Sequence, residues 1–409
     1  MLPVCEQLEL IQSGTDQIVP LDELKRKLER SERTGEPLRV KLGVDPTAPD
    51  LHLGHAVPLR KLRQFQDCGH TIVLIIGGFT ARIGDPSGRN TTRPPLTPEA
   101  INANAQTYLD QAFKILDPAK CELGNNHDWL AQLDFADVIR ESAKFTVARI
   151  LERDDFHKRY SEQKPISLHE LLYPLAQAYD SVETRADVEI GGTDQLFNLL
   201  AGRELMEKSG LEPQVCLTLP LLVGTDGVQK MSKSYGNYIG LTDEPADMFG
   251  KVMSVPDELI VDYFRLASAA SPDEVAAIET SLADGSAHPG EIKRRLAGDI
   301  VALYHSEAAA REAEAAFDRV FKNKELPKDI LEQEIDWGSA SNDEGRIYLP
   351  GLMTKTGLAN SAGEARRLID GGGVKIDSEP LPAKTYELLP EVLRGKVLQA
   401  GKRKFLRLL

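Results

Sequence analysis

Short apolar runs alternate with amphipathic helical segments over the first half of the chain, from Leu38 to about Val223. The apolar runs have the length of buried strands, and the segments between them repeat their hydrophobic residues with the period of a helix. The predicted strands are Leu38–Val44, Thr71–Ile76, Val188–Ile190 and Val215–Leu217, and the predicted helices are Gly54–Asp67 and Asp194–Ser209. This alternation is typical of a parallel sheet covered by helices on both faces. We therefore predict an α/β fold for this part of the chain.

The pattern changes along the rest of the chain, which predicts several domains. Residues 96–185 are mostly helical in pattern and are interpreted as an insertion between two halves of the sheet in a domain of residues 1–243. Residues 244–321 show only helical signals. Residues 322–344 are polar without a clear period, which is typical of a linker.

The last segment, residues 345–409, differs from the others in both pattern and charge. Its pattern predicts a small α+β domain, with a helix after Ser361 and with the strands Val374–Ile376 and Lys404–Leu408 paired. It contains 12 Lys and Arg residues and 6 Asp and Glu residues, a net charge of +6. The whole chain carries −14, so the remainder carries −20. The acidic total therefore hides a basic module.

Composition excludes several classes of protein. Hydrophobic residues make up 41 % and charged residues 27 % of the chain, which is typical of a globular protein and not of a disordered or fibrous one. No apolar run reaches the roughly 18 residues of a membrane span, so no membrane partner is expected. The four cysteines are far apart and form no CxxC pair, which argues against a zinc ribbon and predicts a reducing, cytoplasmic setting.

The first candidate site follows the first predicted strand, where the chain reads Gly43-Val-Asp-Pro-Thr47 and then His52-Leu-Gly-His55. A helix that begins near His52 offers free backbone N–H groups and the positive end of its dipole, which suit a phosphate. The glycine between the histidines leaves room for a flat base or ribose to approach the backbone. Two surface histidines are the simpler interpretation of this motif alone. A zinc site is weaker still, because no third ligand is placed nearby.

The second candidate site is the segment Lys230-Met-Ser-Lys-Ser234, which follows Gly224-Thr-Asp-Gly227. Two lysines in a glycine-flanked loop can close on the β- and γ-phosphates of a nucleotide as charge builds on a departing pyrophosphate. Taken alone, such a loop is more often a solvated turn. The chain has neither a GxxxxGK[ST] motif nor a GxGxxG motif after its first strand, which argues against a P-loop ATPase and a dehydrogenase.

Together, the two motifs follow the first and last strands of the predicted sheet and would meet at its carboxyl edge, where ligands bind in open α/β folds. HLGH and KMSKS resemble the signature pair of class I aminoacyl-tRNA synthetases. Four further motifs narrow the resemblance to the bacterial tyrosyl-tRNA synthetases whose loop reads KMSKS: Gly43–Thr47, Ile83–Gly88, Gln177–Asp180 and Gly191–Gln195. The resemblance covers essentially the whole chain and keeps the family's motif order.

This resemblance implies a fold, a reaction and partners. The implied fold is a Rossmann-like catalytic domain with a helical insertion at the interface of a homodimer, then an α-helical anticodon-side domain and an S4-like RNA-binding domain. The implied reaction converts L-tyrosine and ATP, used with Mg²⁺, to tyrosyl-adenylate and pyrophosphate, and then transfers tyrosine to the terminal adenosine of tRNA(Tyr). No tightly bound protein-liganded metal is expected.

The resemblance also implies site residues in four groups. Contacts to the phosphates are expected from Thr47, His52, His55, Lys230 and Lys233, with help from Arg89 and Arg93 on a mobile loop. Other ATP contacts are expected from Gly43, Asp45, Gly54 beneath the adenine, Gly192, Asp194 on the ribose, and Met231. Tyrosine contacts are expected from Lys41, Asp85, Tyr173, Gln177, Asp180 and Gln195. Contacts to tRNA are expected from Arg366, Arg367 and Lys375.

Within the tyrosine group, Asp85, Tyr173 and Gln177 would receive the ammonium. Asp180 would accept the phenolic O–H, because a buried aspartate without a partner would be unfavourable. Lys41 stands where many members of the family have tyrosine. Its ammonium could donate to the phenol oxygen or pair with Asp180, and the sequence leaves both alternatives open.

Two other functions remain open from the sequence. A tryptophanyl-tRNA synthetase shares the fold and both signature motifs, although Asp180 and the C-terminal RNA-binding domain favour tyrosine. A non-catalytic RNA-binding paralogue is the alternative from another class, and the complete set of histidines and lysines argues against it.

Overall fold

The computed structural model describes residues 2–46, 50–85, 97–321, 330–342, 344–401 and 404–409. Of the predicted site residues, Thr47, Arg89 and Arg93 lie outside this part of the chain. The chain divides into two compact units, the first of Met1–Glu244 and Lys251–Glu307 and the second of Pro245–Gly250 and Ala308–Leu409.

The first unit is built on a six-stranded sheet in the order β1-β6-β5-β2-β3-β4. Its strands are β1 (Gln17–Val19), β2 (Arg39–Val44), β3 (Thr71–Ile76), β4 (Cys121–Asn125), β5 (Val188–Gly192) and β6 (Val215–Leu219). All neighbouring strands are parallel except β1, which runs antiparallel to β6. The sheet is therefore mixed, which corrects the prediction of a wholly parallel sheet.

Helices connect and follow these strands. From the N-terminus to residue 304 they are α1 (Val4–Gln12), α2 (Leu21–Thr34), α3 (Leu53–Asp67), α4 (Thr80–Ile83), α5 (Pro98–Ala112), α6 (His127–Leu130), α7 (Phe135–Ser142), α8 (Val147–Ile150), α9 (Asp154–Ser161), α10 (Leu168–Thr184), α11 (Leu196–Lys208), α12 (Pro245–Met253), α13 (Ile260–Ala267), α14 (Pro272–Ala283) and α15 (Pro289–Tyr304). Short 3₁₀ helices occur at Pro118–Lys120, Thr193–Gln195, Lys233–Tyr235 and Asp257–Leu259.

The predicted insertion is not entirely helical, because it contains β4, which pairs in parallel with the buried strand β3. The two strands differ in composition. β3 reads TIVLII and is buried along five of its six residues, whereas β4 reads CELGN and is half exposed at the edge of the sheet. An edge strand buries only part of its surface, so its sequence lacks the apolar run that identifies a central strand.

Helices α10 and α11 pack against each other through a small apolar cluster of Leu175, Ala178, Ala201 and Leu205. This contact matters for the site because α10 carries several of the predicted tyrosine-binding residues. Its N-terminus is held by a buried ion pair in which Arg159 Nη1 lies 2.5 Å from Glu170 Oε2. Helix α10 is therefore anchored by apolar packing and by charge.

The second unit contains a five-stranded sheet in the order β10-β9-β12-β13-β7 and a two-stranded sheet of β11 and β8. Its strands are β7 (Leu331–Gln333), β8 (Ile347–Tyr348), β9 (Val374–Ile376), β10 (Glu379–Pro380), β11 (Glu387–Leu388), β12 (Val397–Ala400) and β13 (Lys404–Leu408). Its helices are α16 (Glu307–Phe321), α17 (Trp337–Ala340), α18 (Leu349–Lys355), α19 (Ala362–Asp370) and α20 (Pro390–Leu393).

Two predictions for this unit are corrected. Strands β9 and β13 belong to one sheet but do not pair, because β12 lies between them and pairs with both. The second half of the predicted linker also has structure, since β7 pairs in parallel with β13 and α17 follows it. A core of buried apolar residues that includes Leu352, Ile369 and Leu398 holds this unit together.

Candidate active site

A cavity of about 440 Å³ opens at the carboxyl ends of β2, β3, β5 and β6 in the first unit. Predicted residues from segments far apart in the sequence line it together. They are Gly43, Asp45, Gly54, His55, Asp85, Tyr173, Gln177, Asp180, Gly192, Asp194, Gln195 and Lys230. The edge of the sheet on which the two motifs were expected to meet is therefore the edge that carries the cavity.

The two histidines of the HLGH motif stack on each other at the N-terminus of α3, with ring centroids 3.8 Å apart. Burial, with a smaller contribution from the charge of nearby Lys233, lowers the pKa of His52 to about 3 and that of His55 to about 4. Both rings are thus neutral at physiological pH. The backbone N–H of His52 donates to His55 Nδ1 at 3.3 Å, so neutral His55 carries its proton on Nε2.

Gly54 allows the close stacking of these rings. A Cβ at this position would lie 3.0 Å from both Nδ1 and Cε1 of His52. A larger residue would therefore displace the histidine. Gly54 also lines the cavity, where its backbone remains accessible to a ligand.

The loop with the KMSKS motif is joined to the HLGH motif through its own C-terminal end. The backbone N–H of Leu53 donates to the carbonyl of Ile239 at 2.9 Å, and the N–H of Leu241 donates to the carbonyl of Leu51 at 3.0 Å. His52 and Gly240 form the antiparallel bridge between these two bonds. The two motifs thus share one short ladder of backbone hydrogen bonds.

Asn237, which sequence reasoning missed, holds the KMSKS loop in shape. Its Nδ2 donates to Asp226 Oδ2 at 2.9 Å and to the carbonyl of Lys230 at 3.2 Å, and its Oδ1 accepts from the N–H of Ser232 at 2.8 Å. Asn237 is almost completely buried. The only sequence signal is an asparagine soon after the second lysine. This spacing alone does not indicate that the asparagine holds the loop, because its partners are defined only in the folded loop.

Both lysines of this loop pair with carboxylates. Lys230 Nζ lies 3.5 Å from Asp194 Oδ2, and Lys233 Nζ lies 2.9 Å from Asp50 Oδ2. Met231 lies between the two lysines and is buried. A Cβ added to Gly54 of the HLGH motif would lie 3.6 Å from the Cβ of Met231. The loop therefore lies directly over the HLGH motif, with one lysine on each side of a buried anchor.

Asp180 lines the cavity and is only 3 % exposed. Its Oδ1 accepts from Trp129 Nε1 at 2.8 Å, and its Oδ2 accepts from Asn126 Nδ2 at 3.2 Å. Burial raises the pKa of Asp180 to about 6, whereas Lys41 and these two donors lower it. Trp129 and Asn126 were not predicted, because only the fold brings the end of β4 next to α10.

A second carboxylate, that of Asp45, was predicted to contact ATP, but it is hydrogen-bonded to Tyr173, one of the residues predicted to contact tyrosine. Tyr173 donates its hydroxyl to Asp45 Oδ2 at 3.0 Å, and Thr80 donates to Oδ1 at 2.7 Å. Burial, together with the charges of Asp85 and Asp180, raises the pKa of Asp45 to about 7. Gly77 makes room for this arrangement, since a Cβ there would lie 1.9 Å from Asp45 Oδ1.

Asp85 is held from two sides. Arg153 Nη2 donates to Asp85 Oδ1 at 3.0 Å, and Gln195 Nε2 donates to Oδ2 at 3.0 Å. Asn198 Nδ2 in turn donates to Gln195 Oε1 at 2.8 Å. Arg153 is buried and lies in the segment between α8 and α9, so neither periodicity nor a motif indicated its role.

The contacts of Lys41 match neither of the two alternatives predicted for this residue. Its ammonium is fully buried and lies 3.0 Å from Glu189 Oε1, and it does not line the cavity. Lys41 also donates to Ser181 Oγ at 2.8 Å and to the carbonyl oxygen of Gln177 at 3.3 Å. The structure thus corrects the interpretation of Lys41 as a partner of Asp180 or of a phenol.

The residues predicted to contact tRNA lie in the second unit. Arg366 Nε donates to the Tyr348 hydroxyl at 2.8 Å, and its guanidinium carbon lies 5.7 and 5.9 Å from the ring centroids of Tyr348 and Tyr386. Arg367 is exposed on the same helix, and Lys375 is half-buried on β9. Arg366 is therefore held against two aromatic rings, whereas Arg367 extends from the surface.

Across the ranges that the structure describes, no group of three or more His, Cys, Asp or Glu residues is arranged to hold a metal ion. No helix in these ranges is both long and apolar enough to cross a membrane.

Comparison with known proteins extends this picture to the whole chain. Residues 33–322 match the family model described as tRNA synthetases class I (W and Y). Among curated relatives, the tyrosine–tRNA ligase of Moorella thermoacetica is 54 % identical over 99 % of this chain and 96 % of its own length. The tyrosine–tRNA ligase of Thermotoga maritima is 51 % identical over 98 % of this chain and 97 % of its own length.

Solved structures give the same result for the fold. The crystal structure of tyrosyl-tRNA synthetase from Archaeoglobus fulgidus in complex with L-tyrosine has a TM-score of 0.63 at 25 % identity, and the match covers 76 % of this chain and 100 % of that one. The class I synthetase fold is thus shared, and the two signature motifs lie at the edge of the sheet that carries the cavity. The chain belongs to the tyrosine–tRNA ligases of class I.

Proposed function

We propose that the cavity binds tyrosine and ATP side by side and forms tyrosyl-adenylate, and that the chain then transfers tyrosine to the 3′-terminal adenosine of tRNA(Tyr). Asp180 is the observation that carries this proposal. It combines near-complete burial, two fixed donors and a place in the cavity lining. A carboxylate held in this way can accept one more hydrogen bond, from a phenolic O–H that enters the cavity.

The proposed tyrosine site recognises the ammonium through charge. Asp45 and Asp85 lie on the same side of the cavity, close enough for Asp85 to raise the pKa of Asp45. A cation that binds between two carboxylates relieves their mutual repulsion and favours the ionised form of both. Tyr173 and Gln177 line the same region and would complete the ammonium site.

The proposed chemical step needs alignment and charge stabilisation and no general base. The carboxylate of tyrosine is a nucleophile at neutral pH and attacks the α-phosphorus of ATP, and pyrophosphate leaves. His55, with its proton on Nε2, would donate a neutral hydrogen bond to phosphate oxygens, and Lys230 and Lys233 would neutralise the leaving pyrophosphate. ATP is the substrate of this family, and we propose that Mg²⁺ arrives on its phosphate oxygens as part of that substrate.

The carboxylates that hold the two lysines support this step. Asp194, the proposed ribose ligand, pairs with Lys230, and Asp50 pairs with Lys233. Both pairs are partly exposed, and such pairs contribute little to stability. The lysines can therefore exchange these partners for phosphate oxygens at small free-energy cost.

We propose that residues 345–409 form an S4-like RNA-binding domain and that residues 244–321 form a helical domain on the anticodon side. The excess of basic residues after residue 345 supports the first assignment, because RNA binding relies on neutralising phosphates. Arg366 against two aromatic rings adds a surface that suits an unstacked base, since guanidinium and aromatic planes both stack on bases.

We also propose a homodimer through the insertion of residues 96–185. Several large apolar side chains of this segment are exposed, including Phe135 at 80 %, Val147 at 66 % and Leu168 at 77 %. Exposed apolar side chains grouped in one segment are typical of an interface. Sedimentation of the chain and of a Phe135→Glu variant tests this proposal, which predicts a dimer for the first and a shift towards monomer for the second.

ATP–pyrophosphate exchange with single amino acids tests the proposed activity. We expect exchange driven by tyrosine and none driven by tryptophan or phenylalanine at equal concentration. Exchange with tryptophan alone would assign the chain to the other branch of the family model, and no exchange with any amino acid would indicate a non-catalytic paralogue.

A further inference from the structure

An ion pair is fully buried beneath the cavity, between two neighbouring strands of the sheet. Lys41 on β2 and Glu189 on β5 are direct partners in the parallel register, and their side chains are 0 % and 1 % exposed. Lys41 Nζ lies 3.0 Å from Glu189 Oε1. Two apolar residues of similar volume would stabilise such a position at least as well, because both charges lose their hydration on burial. A stabilising role alone therefore does not account for the pair.

The ammonium of Lys41 has no hydrogen left for a ligand. It donates to the carboxylate of Glu189, to Ser181 Oγ and to the backbone carbonyl oxygen of Gln177, and an ammonium has three N–H bonds. Two of these three acceptors belong to α10, which carries the residues at the tyrosine end of the cavity. Lys41 thus acts as a tie between β2 and one turn of α10.

Glu189 accepts hydrogen bonds on both oxygens. Its Oε1 accepts from Lys41 and from Gln177 Nε2 at 3.3 Å, and its Oε2 accepts from Ser181 Oγ at 3.0 Å and from Gln214 Nε2. An ionised carboxylate can only accept, so the amide of Gln177 must turn its NH₂ group toward Glu189. Its carbonyl oxygen then faces away from the pair, and Gln177 also lines the cavity.

This orientation determines what Gln177 offers to a ligand. A carbonyl oxygen accepts from an ammonium, whereas an NH₂ group in the same place would repel it. The two orientations of a glutamine amide have nearly the same shape, so packing alone selects weakly between them. The carboxylate of Glu189 next to the Gln177 amide strongly favours one of these two orientations. The ammonium of Lys41 balances the charge of this carboxylate within the core.

We propose that the buried Lys41–Glu189 pair positions the residues that bind tyrosine. The pair holds α10 against the sheet and orients Gln177 so that its side-chain oxygen, Oε1, faces the substrate ammonium. The inference rests on the proposed function, because it takes tyrosine to be the ligand. Lys41 and Glu189 are positioning residues that act through Gln177 and do not touch the substrate.

The first test is Glu189→Gln, which replaces the carboxylate with a group that can donate as well as accept. We expect the KM for tyrosine in ATP–pyrophosphate exchange to rise about tenfold, with the KM for ATP changed by less than twofold. Glu170→Gln is the matched control, because Glu170 also belongs to a buried ion pair and lies on α10, the helix that carries Gln177, close to the N-terminus of that helix. A merely structural role would make the two variants alike, with a lower Tm and an unchanged KM for tyrosine.

A double-mutant cycle tests whether the effect passes through Gln177. Gln177→Ala removes the amide, so Glu189→Gln should add less than twofold to its loss of tyrosine affinity. Full additivity of the two losses would overturn the proposal. Where Glu189→Gln leaves Lys41 unpaired and the chain does not fold, Lys41→Met/Glu189→Gln keeps the core neutral and is expected to show the same selective rise in KM for tyrosine.

The unmodified chain separates this inference from the proposed function. Tyrosine-dependent exchange by the parent, together with an unchanged KM for tyrosine in the folded variants, would overturn the positioning role and leave the function in place. No tyrosine-dependent exchange by the parent would overturn both.

Discussion

The hydroxyl of Tyr173 donates to the carboxylate of Asp45 across 3.0 Å and so joins the middle of α10 to the end of β2. The same carboxylate accepts from Thr80 and lies near two further carboxylates, those of Asp85 and Asp180. The hydrogen bonds favour its ionised form, whereas burial and the two charges favour its protonated form. The protonation state of Asp45 is therefore sensitive to what enters the cavity.

Tyrosine binding should become tighter as the pH rises from 6 to 8. Burial raises the pKa of Asp45 to about 7 and that of Asp180 to about 6, so both carboxylates ionise in this range and attract the ammonium and the phenolic O–H. We expect the Kd for tyrosine to fall by roughly 3- to 10-fold, since one pKa unit corresponds to about 1.4 kcal/mol. Equilibrium binding from pH 5.5 to 8.5 measures this, and Asp45→Asn should flatten the upper part of the curve.

The same substitution has a stability effect of known sign. Because the folded pKa of Asp45 lies above its ordinary value of 3.8, ionisation disfavours the folded state as the pH rises toward 7. Asp45→Asn removes this penalty, so the stability of the variant relative to the parent should increase by roughly 2.5 kcal/mol from pH 5 to pH 8. Denaturant unfolding at the two pH values checks it, and a gain that is equal at both would contradict the assigned pKa.

Lys233→Ala should reduce turnover in adenylate formation by roughly 10²-fold, the usual loss when one group that stabilises transition-state charge is removed. The Kd for tyrosine should change little, because Lys233 pairs with Asp50 and lies outside the cavity lining. Single-turnover kinetics with ATP and tyrosine separate the two quantities. Asp50→Asn is the control, and its turnover should stay within about twofold of that of the parent. Equal losses of turnover and of tyrosine affinity in Lys233→Ala would contradict the role of Lys233 at the phosphates.

Asp180→Asn should weaken tyrosine binding by roughly 10- to 100-fold, because the phenol loses a charged acceptor. Phenylalanine has no phenolic O–H, so its weak binding should not decrease in parallel and discrimination between the two amino acids should fall. Trp129→Phe removes only one donor to Asp180 and is expected to have a smaller effect in the same direction. The ratio of the two Kd values decides this, and an unchanged ratio in Asp180→Asn would assign phenol recognition elsewhere.

Arg367→Ala should raise the KM for tRNA in aminoacylation several-fold and leave tyrosine-dependent pyrophosphate exchange unchanged. It should also lower the salt dependence of tRNA binding, since one phosphate contact contributes about one unit to the slope. Substitution is a cleaner test than removal of residues 345–409, which would separate β13 from β7 within one sheet. A loss of exchange equal to the loss of charging would contradict the division of roles.

The elements best predicted from the sequence are those whose own residues determine them. The apolar run Thr71–Ile76 is β3 with the same bounds, and the helix predicted at Gly54–Asp67 is α3 within one residue. Strands β1 and β4 escaped prediction because edge strands are short and half exposed and so have no continuous apolar pattern.

The same distinction applies to the site. Local motifs placed His55, Lys230 and the other predicted residues of the cavity lining at one edge of the sheet, since the ends of parallel strands converge wherever the sheet forms. The partner of Lys41 could not be predicted from the sequence. Glu189 is separated from Lys41 by most of the residues of the domain, and only the register of β2 and β5 makes the two residues neighbours. Arg153 and Asn237 belong to the same class of residues, whose roles depend on tertiary contacts.

The short backbone ladder between Leu51–Leu53 and Ile239–Leu241 has a mechanical consequence. It fixes the C-terminal end of the lysine loop to the segment that carries the histidines, so backbone hydrogen bonds set the register between the two motifs. The reach of Lys230 and Lys233 is then set by the length of chain between β6 and this ladder. A one-residue insertion or deletion in that interval would change where the charges arrive without altering any of the groups that carry them.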